Sequence, residues 1–213
     1  MAREAVVFIR PPKVAGTSIS HTLGLQEVIQ RKEFQKMENW VQFSHYHYPS
    51  LVKEGWVSKD FDRKAFKFAF VRNPFDRAVS TYFYLKNYKM IGADGKRRDR
   101  FEASFDTFKD WCQYLAKREF SPVGLYNNRN RSIYNAQWEW LKDVRLDFIG
   151  KFETLQESFN DLCKLLGAEP KLLQKMRGSS HDHWSTYYDK ETKDIIVDIY
   201  SDDFKHLGYN TSI

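Results

Sequence analysis

Cysteine is nearly absent from this chain of 213 residues, which carries only Cys112 and Cys163. Two cysteines exclude a disulfide-stapled scaffold, and without a Cys-x-x-Cys pair there is no thiolate metal site of the usual spacing. Both lie in apolar segments at helical spacing, which predicts buried free thiols. Long apolar runs are missing too: no segment reaches the roughly 18 residues of a membrane span. The sequence passes from Met1 almost directly into the core-like run Ala5–Ile9, with no secretory leader of apolar stretch and cleavage site. A cytoplasmic protein is therefore expected. Glycine and proline are sparse, at 10 and 6 residues, and neither an internal repeat nor a low-complexity tract interrupts the sequence. A Walker A loop, which ends a glycine-containing run in Gly-Lys-Ser/Thr, is absent as well.

What is present suits one globular domain, expected to span residues 1–213, with 42% hydrophobic and 29% charged residues. The net charge of +6, from 34 basic and 28 acidic residues, favours anionic partners or is ordinary solubility charge. Ala5–Ile9 and Phe66–Val71 read as buried strands, and Asp147–Phe152 as a third strand. A helix is expected from Thr17. Another should start after Asn73, a natural cap, with Pro74 in its first turn. A third is expected after a capping box of Thr154 and Glu157, stopping at Gly167. Ile195, Ile196, Ile199 and Tyr200 mark a last helix. Strands alternating with helices predict an α/β fold, a parallel sheet covered on both faces. Residues 90–104 and 121–135 read as surface loops or short irregular elements.

Two strand exits carry chemistry. After the first strand come Arg10-Pro11-Pro12-Lys13-Val14-Ala15-Gly16-Thr17-Ser18 and a helix start. In a parallel sheet, ligands bind beyond the carboxyl ends of the strands, where a new helix offers unpaired amides to an anion. Gly16 would let an oxygen approach the backbone, Thr17 and Ser18 add hydroxyls, and Lys13 adds a mobile charge. After the second strand come Val71-Arg72-Asn73-Pro74-Phe75-Asp76-Arg77-Ala78-Val79-Ser80. Arg72 offers a planar fork of donors to a phosphate dianion, and Ser80 lies within the first two turns of the following helix. Arg77 either belongs to the same anion-binding pattern or is a structural or surface arginine.

Pro12-Lys13-Val14-Ala15-Gly16-Thr17-Ser18-Ile19 resembles the 5′-phosphosulfate loop of the carbohydrate-type sulfotransferases, the group that includes heparan sulfate 2-O-sulfotransferases and short bacterial relatives. The resemblance runs from Val6 to Tyr209, though only the two strand-exit motifs are specific. It implies a P-loop-like three-layer sandwich with a central parallel sheet flanked by helices. It implies the donor PAPS (3′-phosphoadenosine-5′-phosphosulfate), with PAP as product. Lys13 would contact the phosphosulfate, while Gly16, Thr17 and Ser18, beside Ala15, cradle the 5′-phosphate. Arg72 and Ser80 would hold the 3′-phosphate, joined by Arg177, Ser179 or Ser180 from a later loop.

Sulfuryl transfer needs a base for the acceptor hydroxyl, and histidine titrates near neutral pH. Phe43-Ser44-His45-Tyr46-His47-Tyr48-Pro49 lies between the two motifs, and in an extended stretch His45 and His47 would share one face. The family carries a His-x-His there with the second histidine as base, which implies His47 as base and His45 as its substrate-orienting neighbour. No nearby third ligand makes the pair a zinc site, and no metal is expected. Lys96 and Arg97 of the basic run, with Arg129 and Arg131, form either an acidic-glycan groove or a solvated surface, and Gln137 could face the acceptor. The expected acceptor is a hydroxyl, of a glycan or a small molecule. A nucleotide-dependent kinase and a non-catalytic nucleic-acid-binding protein are the rivals. The first lacks its Walker lysine, and the second would need basic and aromatic residues interleaved on one face.

Overall fold

The computed structural model describes residues 3–91, 96–99, 101–117, 132–174, 176 and 181–213. In chain order these form β1 (Val6–Ile9), α1 (Gly16–Leu23), β2 (Gln26–Glu27), α2 (Arg31–Phe34), β3 (Trp40–Gln42), α3 (Tyr48–Lys53), α4 (Lys59–Lys64) and β4 (Phe66–Val71). There follow α5 (Pro74–Asn87), β5 (Lys89–Ile91), β6 (Arg97–Asp99), α6 (Phe108–Ala116), α7 (Trp138–Leu141), β7 (Phe148–Lys151), α8 (Leu155–Leu166), α9 (Lys190–Ile199) and α10 (Ser201–Leu207). Short 3₁₀ turns cover Phe101–Ser104 and Trp184–Tyr187. The chain divides into two compact units, residues 1–72 with 123–177, and residues 73–122 with 178–213.

The first unit holds a parallel sheet in the order β2-β3-β1-β4-β7. Period-two alternation decides what each strand buries. Val6 and Phe8 of β1, with Phe66, Phe68 and Phe70 of β4, enter a core completed by Ile19 of α1 and by Phe159, Leu162, Cys163 and Leu166 of α8. Phe8 stacks on Phe68 with ring centroids 4.7 Å apart, and Phe70 meets both edge-on. Each such ring contributes on the order of 2–3 kcal/mol by leaving water. Gly150 of β7 accommodates this packing, because a Cβ there would lie 2.4 Å from the Phe70 ring. The opposite face of β4 carries Lys67, whose ammonium pairs with Asp62 of α4 at 3.2 Å and donates to the Asp62 carbonyl. Tyr48 of α3 donates to the same carboxylate at 2.9 Å. Helices thus cover both faces, as an α/β sheet of this kind requires.

Several expectations change in detail. Residues 89–99 include an antiparallel β5–β6 ribbon where irregular structure was expected. Thr154 precedes α8 but caps no amide; its hydroxyl lies 3.1 Å from Ser158 Oγ instead. The Asn73 cap does form, its Oδ1 accepting from the Phe75 N–H at 2.9 Å. Both cysteines are free and buried.

In the second unit α5 is anchored by Arg77, which is structural. Its guanidinium is fully buried 3.9 Å from Asp203 and lies over the Tyr200 ring at 4.6 Å. Removing one partner leaves a buried charge uncompensated. Arg77→Ala is expected to destabilise the fold by about 3–5 kcal/mol, read as a lower urea midpoint, whereas a cost under about 1 kcal/mol would show the pair to be solvated. No helix among the described residues is long and apolar enough to cross a membrane.

Candidate nucleotide and acceptor site

Strands β1 and β3 are neighbours whose onward connections run to opposite sides of β1, so their carboxyl ends flank the sheet's topological switch point. The β1–α1 loop leaves one of these strands, the His45–His47 segment follows the other, and Arg72 leaves adjacent β4.

The β1–α1 loop is bent by Lys13 and Ala15, both in the left-handed region at φ 70° and 59°. Non-glycine residues there are strained, and they persist only where surroundings hold them. Val14 supplies one restraint, since it lies between them fully buried in the core. Arg10 supplies another: its guanidinium donates to Thr17 Oγ1 at 2.9 Å and to Gln42 Oε1 at 3.3 Å, and lies 3.6 Å from Glu27. Gly16 was expected to admit a ligand oxygen. In this structure its missing Cβ makes room for Arg10, whose Nε would lie 2.3 Å from that atom. Helix α1 has no acidic residue in its first turn, so its amides and dipole face the loop uncancelled. Ser18 is buried and its hydroxyl accepts from the Met176 N–H at 3.3 Å.

Arg72 is 9% exposed. Its guanidinium carbon sits 4.0 Å from the Phe152 ring centroid, a cation–π contact, and its NH1 donates to the Lys13 carbonyl at 3.3 Å. The two basic strand exits therefore meet. Gln137 was expected at the acceptor, yet it is fully buried and clamps the Arg72 backbone: it accepts from that N–H at 2.9 Å and donates to that carbonyl at 2.8 Å. Satisfying both backbone groups of a buried residue fixes where the guanidinium starts.

The histidine segment is not extended. β3 ends at Gln42, Ser44 turns at φ 49°, and Tyr46 N–H closes the turn on the Phe43 carbonyl at 2.9 Å. The turn replaces a continued strand because the Gln42 side chain captures the Ser44 N–H at 2.7 Å. His45 is buried, its Nδ1 3.0 Å from the Arg10 carbonyl and its own carbonyl accepting from Trp140 Nε1 at 3.1 Å. Burial first, then the nearby Arg10 charge, push the His45 pKa down to about 3. The ring is neutral and donates Nδ1–H to Arg10. His47 occupies the N-cap position of α3, also buried, with Nδ1 2.8 Å from Ser50 Oγ and with its Nε2 shielded from solvent.

The depressed His45 pKa has a measurable consequence. Between the unfolded value near 6.5 and about 3, the unfolded chain binds a proton that the native chain refuses. Stability is complete above pH 6.5 and falls on acidification, by up to about 1.4 kcal/mol per pH unit from this one group. Urea titrations at pH 7 and pH 5 should show roughly 2 kcal/mol of loss that His45→Asn abolishes; an equal loss in both proteins would contradict it.

Ser80 lies on α5 in the second unit, 3% exposed. Lys96 is exposed beside the β5–β6 ribbon. The Arg97 side chain, and Arg129, Arg131, Arg177, Ser179 and Ser180 entirely, lie outside the described residues. Sequence reasoning missed Arg10, Phe152 and Ser50. Arg10 stood inside the quoted loop motif and Phe152 closed a strand already recognised, but neither pattern tells where a side chain points.

Comparisons with known proteins converge. Carbohydrate sulfotransferase 11 of Rattus norvegicus is 28% identical over 116 residues, covering 47% of this chain and 32% of that protein. Carbohydrate sulfotransferase 12 of Mus musculus is 25% identical over 172 residues, covering 69% of this chain and 41% of that protein. The match thus spans 32% and 41% of the length of these two curated relatives. The crystal structure of mouse sulfotransferase SULT7A1 complexed with PAP superposes with a TM-score of 0.58 over 96% of this chain and 85% of that one, at 13% identity, which establishes a shared fold. The family model described as Sulfotransferase family matches residues 2–210, nearly the whole chain. With strand-exit loops, topological switch point and sequence model in agreement, this chain belongs to the Sulfotransferase family.

Proposed function

We propose that the protein transfers the sulfuryl group of PAPS to an acceptor hydroxyl, on a carbohydrate of the kind that heparan sulfate 2-O-type and other carbohydrate sulfotransferases modify. The observation that carries the reading is the 3.3 Å contact between the Arg72 guanidinium and the Lys13 carbonyl. It joins two cationic strand exits in one crevice, which suits a nucleotide phosphorylated at both ends of its ribose. Lys13 and the α1 amides hold the 5′-phosphosulfate; Arg72 holds the 3′-phosphate.

In the reaction the acceptor oxygen attacks sulfur in line, the bond from sulfur to the 5′-phosphate oxygen breaks, and PAP leaves. Negative charge grows on the departing phosphate, where Lys13 and the fixed α1 amides are worth most. His47 takes the hydroxyl proton on Nε2. His45 is unsuited to that step, because a ring with so low a pKa is a poor proton acceptor and its Nδ1–H is committed to Arg10. His45 instead ties the base segment to the phosphate loop. Carbohydrate in the names of two relatives supports the acceptor class.

The test is transfer of ³⁵S from labelled PAPS to a panel of heparan and chondroitin oligosaccharides, simple phenols and aliphatic alcohols. Label on an oligosaccharide hydroxyl is the expected result. Label on phenols alone would overturn the acceptor class, and binding of Mg-ATP or single-stranded DNA without PAP would overturn the donor.

A further inference from the structure

His47 has a built partner that the reaction as written does not use. Ser50, one turn into α3, places Oγ 2.8 Å from His47 Nδ1 while its own N–H bonds the His47 carbonyl at 3.0 Å. Pro49 beside it presets the first helical turn. The helix is in turn held by Tyr48, which donates to Asp62, itself paired with Lys67 under the sheet. Burial, then the Asp62 carboxylate, drive the Tyr48 pKa far above its ordinary value, so this donor keeps its proton at every working pH. The imidazole is thus restrained by its backbone, by one ring nitrogen and by a locked helix.

We infer that Ser50 is the positioning residue of the base, selecting the His47 tautomer with hydrogen on Nδ1 and the lone pair on Nε2. The inference rests on the reading of His47 given above. Nδ1–H donates to Ser50 Oγ, and the half-buried serine can turn its own hydrogen to water. When the acceptor O–H bond breaks, the proton forms the Nε2–H bond, and the imidazolium keeps its Nδ1–H···Oγ hydrogen bond. The hydroxyl thus orients the base, as the third member of a nucleophile–base–orienter set does.

Long-range ¹⁵N–¹H spectra of ¹⁵N-histidine protein at pH 8 read the tautomer directly, with His47→Asn identifying the His47 signals by their disappearance. The wild type should show a protonated Nδ1 and a bare Nε2 at His47. Ser50→Ala should give a tautomer mixture and a kcat lower by about tenfold, with PAP affinity unchanged, and Ser50→Thr should restore both. A wild-type spectrum with hydrogen on Nε2, or an unchanged tautomer in Ser50→Ala, overturns the proposal without any assay of turnover. Full turnover by His47→Asn would instead overturn the reading of His47 as base, and the spectra separate the two failures.

Discussion

His47→Ala is expected to lower kcat by about 10²–10⁴ while leaving the Kd for PAP within about twofold. A general base acts on the acceptor proton alone, so its loss falls on turnover. The separation rests on position: His47 begins α3, and its Nδ1 lies 2.8 Å from Ser50 Oγ of the same helix. His45 should behave differently. Its Nδ1–H restrains Arg10, whose guanidinium in turn holds Thr17. His45→Ala should therefore weaken PAP as well as slow turnover. Single-turnover rates with PAPS, alongside PAP titrations of each variant, check both outcomes. Lost PAP affinity in His47→Ala would assign that residue to binding.

The second large effect is expected at Arg72. Charge-assisted hydrogen bonds contribute roughly 1.5–3 kcal/mol each, so Arg72→Ala should weaken PAP by about 10²–10³. Adenosine 5′-monophosphate, without a 3′-phosphate, should lose no more than about fivefold, the share owed to the broken contact with the Lys13 carbonyl. Arg72→Lys should recover little, because an ammonium neither forks onto two phosphate oxygens nor lies flat on the Phe152 ring. Calorimetric titration of each nucleotide into each variant gives the comparison. Equal losses for the two nucleotides would remove the 3′-phosphate from Arg72.

Much of the frame was legible because it follows from local rules. Val6–Ile9 and Phe66–Val71 are apolar enough to be buried on both faces, and both are central strands. Asn73-Pro74 announced its helix, and the cap formed as the residue chemistry dictates. The loop at Lys13 and the arginine at a strand exit were visible as motifs. Their meeting was not, since it depends on β1 and β4 being neighbours, which no single-strand pattern encodes. The histidine segment misled because alternation is only a tendency. Gln42 offered the Ser44 amide a side-chain acceptor, and that local bond outcompeted strand continuation. Gln137 looked like a polar residue for an acceptor, but a buried backbone at Arg72 needed both ends of an amide. Thr154 failed as a cap for a similar reason, its hydroxyl having found Ser158. Gly16 was read as a ligand cradle when Arg10, six residues earlier, fills the space its missing side chain leaves.

Calorimetric titration of the wild-type protein with PAP, adenosine 5′-monophosphate and adenosine 3′-monophosphate probes the paired anion sites most directly. PAP should bind at least about 100-fold more tightly than either monophosphate, because Lys13 with α1 and Arg72 each take one end of the same molecule. PAP binding no tighter than the better monophosphate would mean that the crevice holds one phosphate, and the assignment of donor and mechanism would fall with it.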